Sequence, residues 1–246
     1  MQLNPKLIKT QFEKSMAKYD ENALVQQLMA EKLVKALINC AGNNFANILE
    51  LGAGTGLLTK QLTGCVNYKK YYANDLVEKS GSYLKSIVSD CKFICGNAQK
   101  IKTSSKMDLI ISNAMFQWFS NLEKVLGHYR TILNPAGTIA FSTFAPDNFK
   151  EIKSLTGLAL DYKEPEEIRS ILEKNYKVLY LEKFDYKLNF TTPLEILAHM
   201  KHTGVNSLGA KHWGILEVKD FCDKYKSLYP DLTLTYSPVV VVAEKI

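Results

Sequence analysis

Arginine is nearly missing from this chain. Arg130 and Arg169 are the only two, and lysine supplies the rest of the 31 basic residues. Nucleic-acid sites lean on arginine forks with aromatic groups between them, and neither pattern is present, so a nucleic-acid partner is not expected. Long apolar runs are missing too. No stretch approaches the ~20 residues needed to cross a bilayer, so no membrane partner is expected. The opening Met1–Lys6 has no apolar signal core, which argues against secretion and for a cytoplasmic protein. The cysteines, at 40, 65, 91, 95 and 222, are odd in number and form no C-x-x-C. They predict neither disulfides nor a metal site, and Cys91 and Cys95, four apart in a strand-like segment, read as buried core. There is no Ser-His-Asp pattern and no cysteine placed as a nucleophile.

What remains is ordinary globular composition: 246 residues, 46% hydrophobic, 23% charged and a net charge of +6. That is one large domain, or one with a modest insertion. The spread lysines are either a solvated surface or a diffuse positive face for an acidic protein partner.

The most informative stretch is Ile48-Leu49-Glu50-Leu51-Gly52-Ala53-Gly54-Thr55-Gly56-Leu57. An apolar strand runs into an acid, then into glycine at every second position, then into a helix start. Glycines allow a sharp turn and let a ligand approach without meeting a Cβ. The amides that open the following helix then face whatever sits there. A dinucleotide fingerprint would need its third glycine at position 57, where this chain has Leu57.

Apolar positions at helical spacing predict helices over residues 1 to 40, with Asp20 able to cap the second. From residue 45, short apolar runs alternate with helices. Strands are expected near 47–51, 69–74, 91–95, 107–112, 137–144, 177–189 and 232–244. Such alternation implies a parallel sheet with helices on both faces. The last two runs break it and fit a seven-stranded sheet with an antiparallel final strand. Thr191 to Pro230, about forty mostly helical residues, is too long for a connection and predicts a lid. The division expected is one domain: a helical cap over 1–40, a core over 45–190, the lid over 191–230 and a final strand over 231–246.

Ligands of open parallel sheets sit beyond the carboxyl ends of the strands. The second strand ends at Asp75, where a carboxylate can accept both hydroxyls of a ribose, whether the cofactor is a nicotinamide or derives from methionine. The third ends at Asn97-Ala98, where an amide can reach an adenine amino group. The fourth ends in Asn113-Ala114-Met115-Phe116-Gln117-Trp118, polar and aromatic where a pure core strand would stop.

With Glu50 ahead of the glycines, these ends resemble the class I S-adenosylmethionine-dependent methyltransferases over residues 45 to 145. The flanks narrow the resemblance: Phe12-Glu13-Lys14-Ser15-Met16-Ala17-Lys18-Tyr19-Asp20, Gln26, Phe141-Ser142-Thr143-Phe144, Met200-Lys201-His202-Thr203-Gly204 and Leu234-Thr235-Tyr236. Together they resemble the malonyl-acyl-carrier-protein O-methyltransferases of early biotin synthesis. The resemblance implies an α/β, Rossmann-like seven-stranded sheet, S-adenosyl-L-methionine as cofactor, and transfer of its methyl group to the free carboxylate of a malonyl thioester on acyl carrier protein. It implies that Gln26, Glu50, Gly52, Ala53, Gly54, Gly56, Leu57, Asp75, Leu76, Asn97, Ala98, Asn113, Ala114 and Met115 hold the cofactor. Tyr19 and Gln117 then border the acceptor, His202 either holds the acyl group or caps the pocket, and Tyr236 is either core or pocket.

Two departures stand out. Asn97 occupies a place that is commonly Asp in the family, and its amide oxygen can still accept. Lys153 occupies a place that is often Arg, where Arg would grip a carboxylate with two bonds; as a point charge it either holds the malonyl carboxylate or is a surface lysine. Carboxylates are already ionised at neutral pH, so the reaction asks for alignment and exclusion of water and needs no base. A monomer is expected. The alternatives are a methyltransferase for another small acid or a quinone precursor, and a noncatalytic assembly factor that keeps the fold.

Overall fold

The computed structural model describes residues 5–203 and 213–246. The chain opens with two helices, α1 (Pro5–Asn22) and α2 (Leu24–Ala41). Then β1 (Asn44–Leu51), α3 (Leu57–Thr63), β2 (Asn67–Asp75), α4 (Ser80–Ile87) and β3 (Lys92–Cys95) build one half of the sheet. The other half contains β4 (Met107–Ser112), α5 (Leu122–Ile132), β5 (Leu133–Phe144), α6 (Lys150–Thr156), α7 (Pro165–Leu172) and β6 (Tyr176–Lys183). The remainder is β7 (Tyr186–Asn189), α8 (Pro193–His202), α9 (Ile215–Leu228), β8 (Thr233–Tyr236) and β9 (Pro238–Lys245).

Seven strands form one sheet in the order β3-β2-β1-β4-β5-β9-β6. The chain winds outward from β1 through β2 to β3, then returns to start the other half at β4. A crevice therefore opens between the carboxyl ends of β1 and β4, where strand order reverses. β9 runs antiparallel to both neighbours, β5 and β6, as the sequence pattern predicts.

Both faces of the sheet are covered. Ile48, Ala73, Leu109, Ile111, Ala140, Val240 and Val242 pack on one side with α2 and α3. The alternating residues Leu49, Leu51, Ile110, Ile139, Phe141, Val239 and Val241 pack on the other with α5 and α7. Burial on both faces explains the near-continuous apolar runs of these strands.

The expectations for two strand runs, for Asp20 and for Cys95 change. The runs 177–189 and 232–244 are each two strands, because the chain leaves the large sheet and pairs again as the two-stranded β7–β8 sheet. The corner is pinned at Ser237, whose N–H donates to Asn148 Oδ1 (3.2 Å) and whose hydroxyl donates to Asp185 Oδ1 (2.6 Å). Asp20 does not cap α2, since Ala23 is the cap residue; its carboxylate instead accepts from Thr55 Oγ1 at 2.5 Å, tying α1 to the glycine loop. Cys95 is exposed while Cys91 is buried, because β3 is an edge strand. The expected lid contains α8 and α9, which pack with α6, β7 and β8 in a third apolar cluster; its Gly204 and Val205 lie outside the described residues. Among the described residues no helix is long and apolar enough to cross a membrane.

Candidate active site

β1 delivers the glycine loop to the crevice. Gly52, Gly54 and Gly56 have φ of 65°, 57° and 82°, in the left-handed region that side chains disfavour. A Cβ on Gly52 would lie 2.6 Å from Met115 Cγ, and one on Gly54 would lie 3.0 Å from the Phe12 ring. Gly56 serves a different purpose, since its Cβ would strike Ile87 Cδ1 at 2.2 Å. It makes room for α4 against α3 and does not line the cavity.

The neighbouring strand ends hold this loop still. Asp75, 6% exposed at the end of β2, accepts from Gly54 N through Oδ2 and from Val77 N through Oδ1, both at 2.8 Å. Burial raises its pKa, and those amides work against the rise. Glu50 is 1% exposed, and its Oε2 accepts from Thr59 Oγ1 (2.7 Å) and the Tyr71 hydroxyl (2.5 Å). Burial pushes its carboxyl up to about 7. Asn97 Oδ1 accepts from Gln99 N at 2.9 Å, which folds the turn after β3.

At the end of β4, Asn113 Nδ2 donates to the Gln26 carbonyl (2.9 Å), while Asn113 Oδ1 accepts from Ser142 Oγ (2.5 Å). The same Ser142 oxygen accepts from Ala114 N at 2.9 Å, fixing Ala114 at a φ of 50°. This strained residue aims the following turn into the crevice. Gln117 Nε2 donates back to the Ala114 carbonyl at 2.6 Å.

One cavity gathers most of the sequence-predicted residues. Tyr19, Gln26, Glu50, Gly52, Ala53, Gly54, Leu57, Asp75, Leu76, Asn97, Ala98, Asn113, Ala114, Met115 and Gln117 all line it. Its volume of about 170 Å³ is roughly ten times the room one water needs. His202 and Lys153 are not among the lining residues. Successive helix residues sit about 100° apart, and it is Thr203, next to His202, that takes the cavity side. On α6, Glu151 and Ile152 are the buried pair, which leaves Lys153 exposed.

Tyr236 is both core and pocket. It is fully buried, lines the cavity, and its hydroxyl shares a 2.6 Å hydrogen bond with His199 Nε2. Burial drops His199 to about 4, so that ring is neutral. The sequence reading missed Ile8, Lys9, Asn148, Phe149, Leu160 and Tyr162, which also line the cavity. The last four lie around α6 and the coil after it, where no periodicity marks them.

The donor set fits S-adenosyl-L-methionine. Gln26 Oε1 and Gln117 Oε1 are buried amide oxygens without a partner among the described residues. Two such acceptors, with Glu50 and Asp75 on the same walls, suit a ligand that carries positive charge and hydroxyls. Gly52 and Gly54 supply the bare backbone such a ligand needs.

Comparisons with known proteins agree with this geometry. Residues 49–141 match the family described as "Methyltransferase domain". The malonyl-[acyl-carrier protein] O-methyltransferase of Chlorobium luteolum is 33% identical over 97% of this chain and 95% of its own length. That of Calditerrivibrio nitroreducens is 34% identical over 96% of each. Among solved structures, the N-methyltransferase NodS of Bradyrhizobium japonicum, with S-adenosyl-L-homocysteine, superposes with a TM-score of 0.59. At 11% identity over 97% of this chain and 98% of that one, it attests the fold. Identity at this level along almost the whole chain, over a seven-stranded sheet with its cavity at the β1–β4 crevice, makes this chain a member of the malonyl-[acyl-carrier protein] O-methyltransferase family.

Proposed function

We propose that the chain transfers a methyl group from S-adenosyl-L-methionine to the free carboxylate of a malonyl thioester on acyl carrier protein, an early step of biotin synthesis. The observation that carries this reading is the reach of the similarity. It extends beyond the methyltransferase domain at 49–141 to α1 and to the α8 and β8 region, and these supply Phe12, Tyr19, Thr203 and Tyr236 to the same cavity.

S-adenosyl-L-methionine, when bound, supplies a methyl group activated by a sulfonium. The protein's part is to hold and align. Gly52 and Gly54 leave their backbone open, and Asp75 and Asn97 offer acceptors at the ends of β2 and β3. The amide oxygens of Gln26 and Gln117 answer positive charge. The Phe12 ring beside Gly54 and the Thr55–Asp20 hydrogen bond hold α1 over the glycine loop, and Tyr19, edge-to-face with Phe12 at 5.1 Å, helps keep water out. The acceptor carboxylate is ionised at neutral pH, so no group has to remove a proton.

Incubating malonyl-, succinyl- and acetyl-carrier protein with the enzyme and cofactor, followed by intact mass, tests the reading. One methyl added to the malonyl form alone supports it. An unchanged malonyl mass, with cofactor binding confirmed separately, refutes it.

A further inference from the structure

Beyond the strand ends and the residues of α1 and α2, the cavity wall includes Asn148, Phe149, Leu160, Tyr162, Thr203 and Tyr236. Among its described lining residues the sole basic side chain is Lys9, exposed on α1. An anionic acceptor entering here meets hydroxyls and amides in place of a buried cation.

One of those hydroxyls has a fixed direction. The Ser237 N–H donates to Asn148 Oδ1 (3.2 Å), and Asn148 Nδ2 donates to Tyr162 Oη (3.0 Å). A backbone N–H can only donate, so the first bond settles which end of the Asn148 amide is oxygen. The nitrogen end faces Tyr162 and can also only donate. The phenol oxygen is therefore an acceptor in this pair, and its own proton is left over for something else. Asn148 is 1% exposed, so water does not scramble the order. Burial raises the Tyr162 pKa, which keeps that proton in place.

We infer that the Tyr162 hydroxyl donates a hydrogen bond to the acceptor carboxylate, and that Asn148 is the positioning residue that turns this hydroxyl toward the cavity. The inference rests on the malonyl reading above. One carboxylate oxygen takes the hydrogen bond while the other keeps its lone pairs for the methyl carbon. Tyr162 keeps its proton throughout. Charge-assisted hydrogen bonds are about twice as strong as neutral ones, so the ester product is held more weakly than the acid, which favours its release.

Two variants test this. Tyr162→Phe deletes the hydroxyl and keeps the ring. Asn148→Asp replaces the donating nitrogen with an acceptor, so Tyr162 spends its proton on residue 148 with the phenol still present. Each is expected to raise the KM for malonyl-carrier protein about tenfold or more, with kcat falling less. The Kd for S-adenosyl-L-homocysteine should stay within about twofold, and the double variant should match the single ones because they remove the same contact. A Tyr162→Phe enzyme whose KM stays within about twofold of wild type overturns the inference while the malonyl reading stands. If Asn148→Asp does not fold, the Tyr162→Phe result decides alone. Wild-type enzyme that binds S-adenosyl-L-homocysteine yet leaves malonyl-carrier protein unmethylated overturns both.

Discussion

Asp75→Asn separates two roles that one carboxylate can fill. If Asp75 only receives a ribose, its replacement leaves the empty protein as stable as before. The structure gives it a second task, since each oxygen accepts a backbone amide at 2.8 Å, from Gly54 and from Val77. Asparagine keeps one acceptor and turns an NH2 toward the other amide, leaving a buried donor unpaired. That costs about 1–3 kcal/mol, more where the lost acceptor was charged. Removing a buried charge returns part of this, because burial already disfavours the ionised form. The expected net loss is about 2 kcal/mol. For a domain of this size that lowers Tm by about 4–8 °C. The assay is thermal unfolding of the ligand-free variant, with S-adenosyl-L-homocysteine affinity measured in parallel. A ligand-free Tm within about 1 °C of wild type, together with lost affinity, would refute the loop-holding role.

Three further outcomes are expected. Gly52→Ala places a Cβ 2.6 Å from Met115 Cγ at a φ of 65°, so S-adenosyl-L-homocysteine affinity should fall at least about tenfold by calorimetry. Burial holds the Glu50 carboxyl at about 7 in the folded protein, against 4.5 for an ordinary glutamate. Its folded form binds more protons across that window, so its contribution to stability is full below about 4.5 and is lost as pH rises through 7; Glu50→Gln should flatten that part of the urea-unfolding profile, and an unchanged profile would count against it. Lys153→Ala should leave acceptor KM within about twofold, because that lysine is exposed and outside the cavity.

The glycine loop, Asp75 and the five strands before residue 145 are legible in sequence for one reason. Strands β1, β4 and β5, buried on both faces, leave apolar runs, β2 and the edge strand β3 leave shorter ones, and the carboxyl ends announce themselves by a change to polar residues. The corner at Ser237 is not legible this way, since Leu234, Tyr236 and Val239 are apolar on both sides of it. What ends the strand there is a tertiary bond to Asn148, 89 residues away in the chain. Asp20 has the composition of a helix cap, yet its partner is Thr55 on another element, so local propensity loses to a long-range contact. Tyr162 stands in coil, where neither period applies, and only the bonds around it reveal its direction.

The placement of β9 between β5 and β6 sets a timetable for folding. Phe144 pairs with Pro238, whose synthesis comes roughly ninety residues later. At ~5–20 residues per second, the edge of β5 waits about 5–20 s for its partner on the ribosome. During that wait a strand whose residues from Gly137 to Phe144 are all destined for burial presents unpaired amides and carbonyls, a template for pairing with other chains. Expression yield should therefore respond to translation speed and to chaperones more than the stability of the finished sheet suggests.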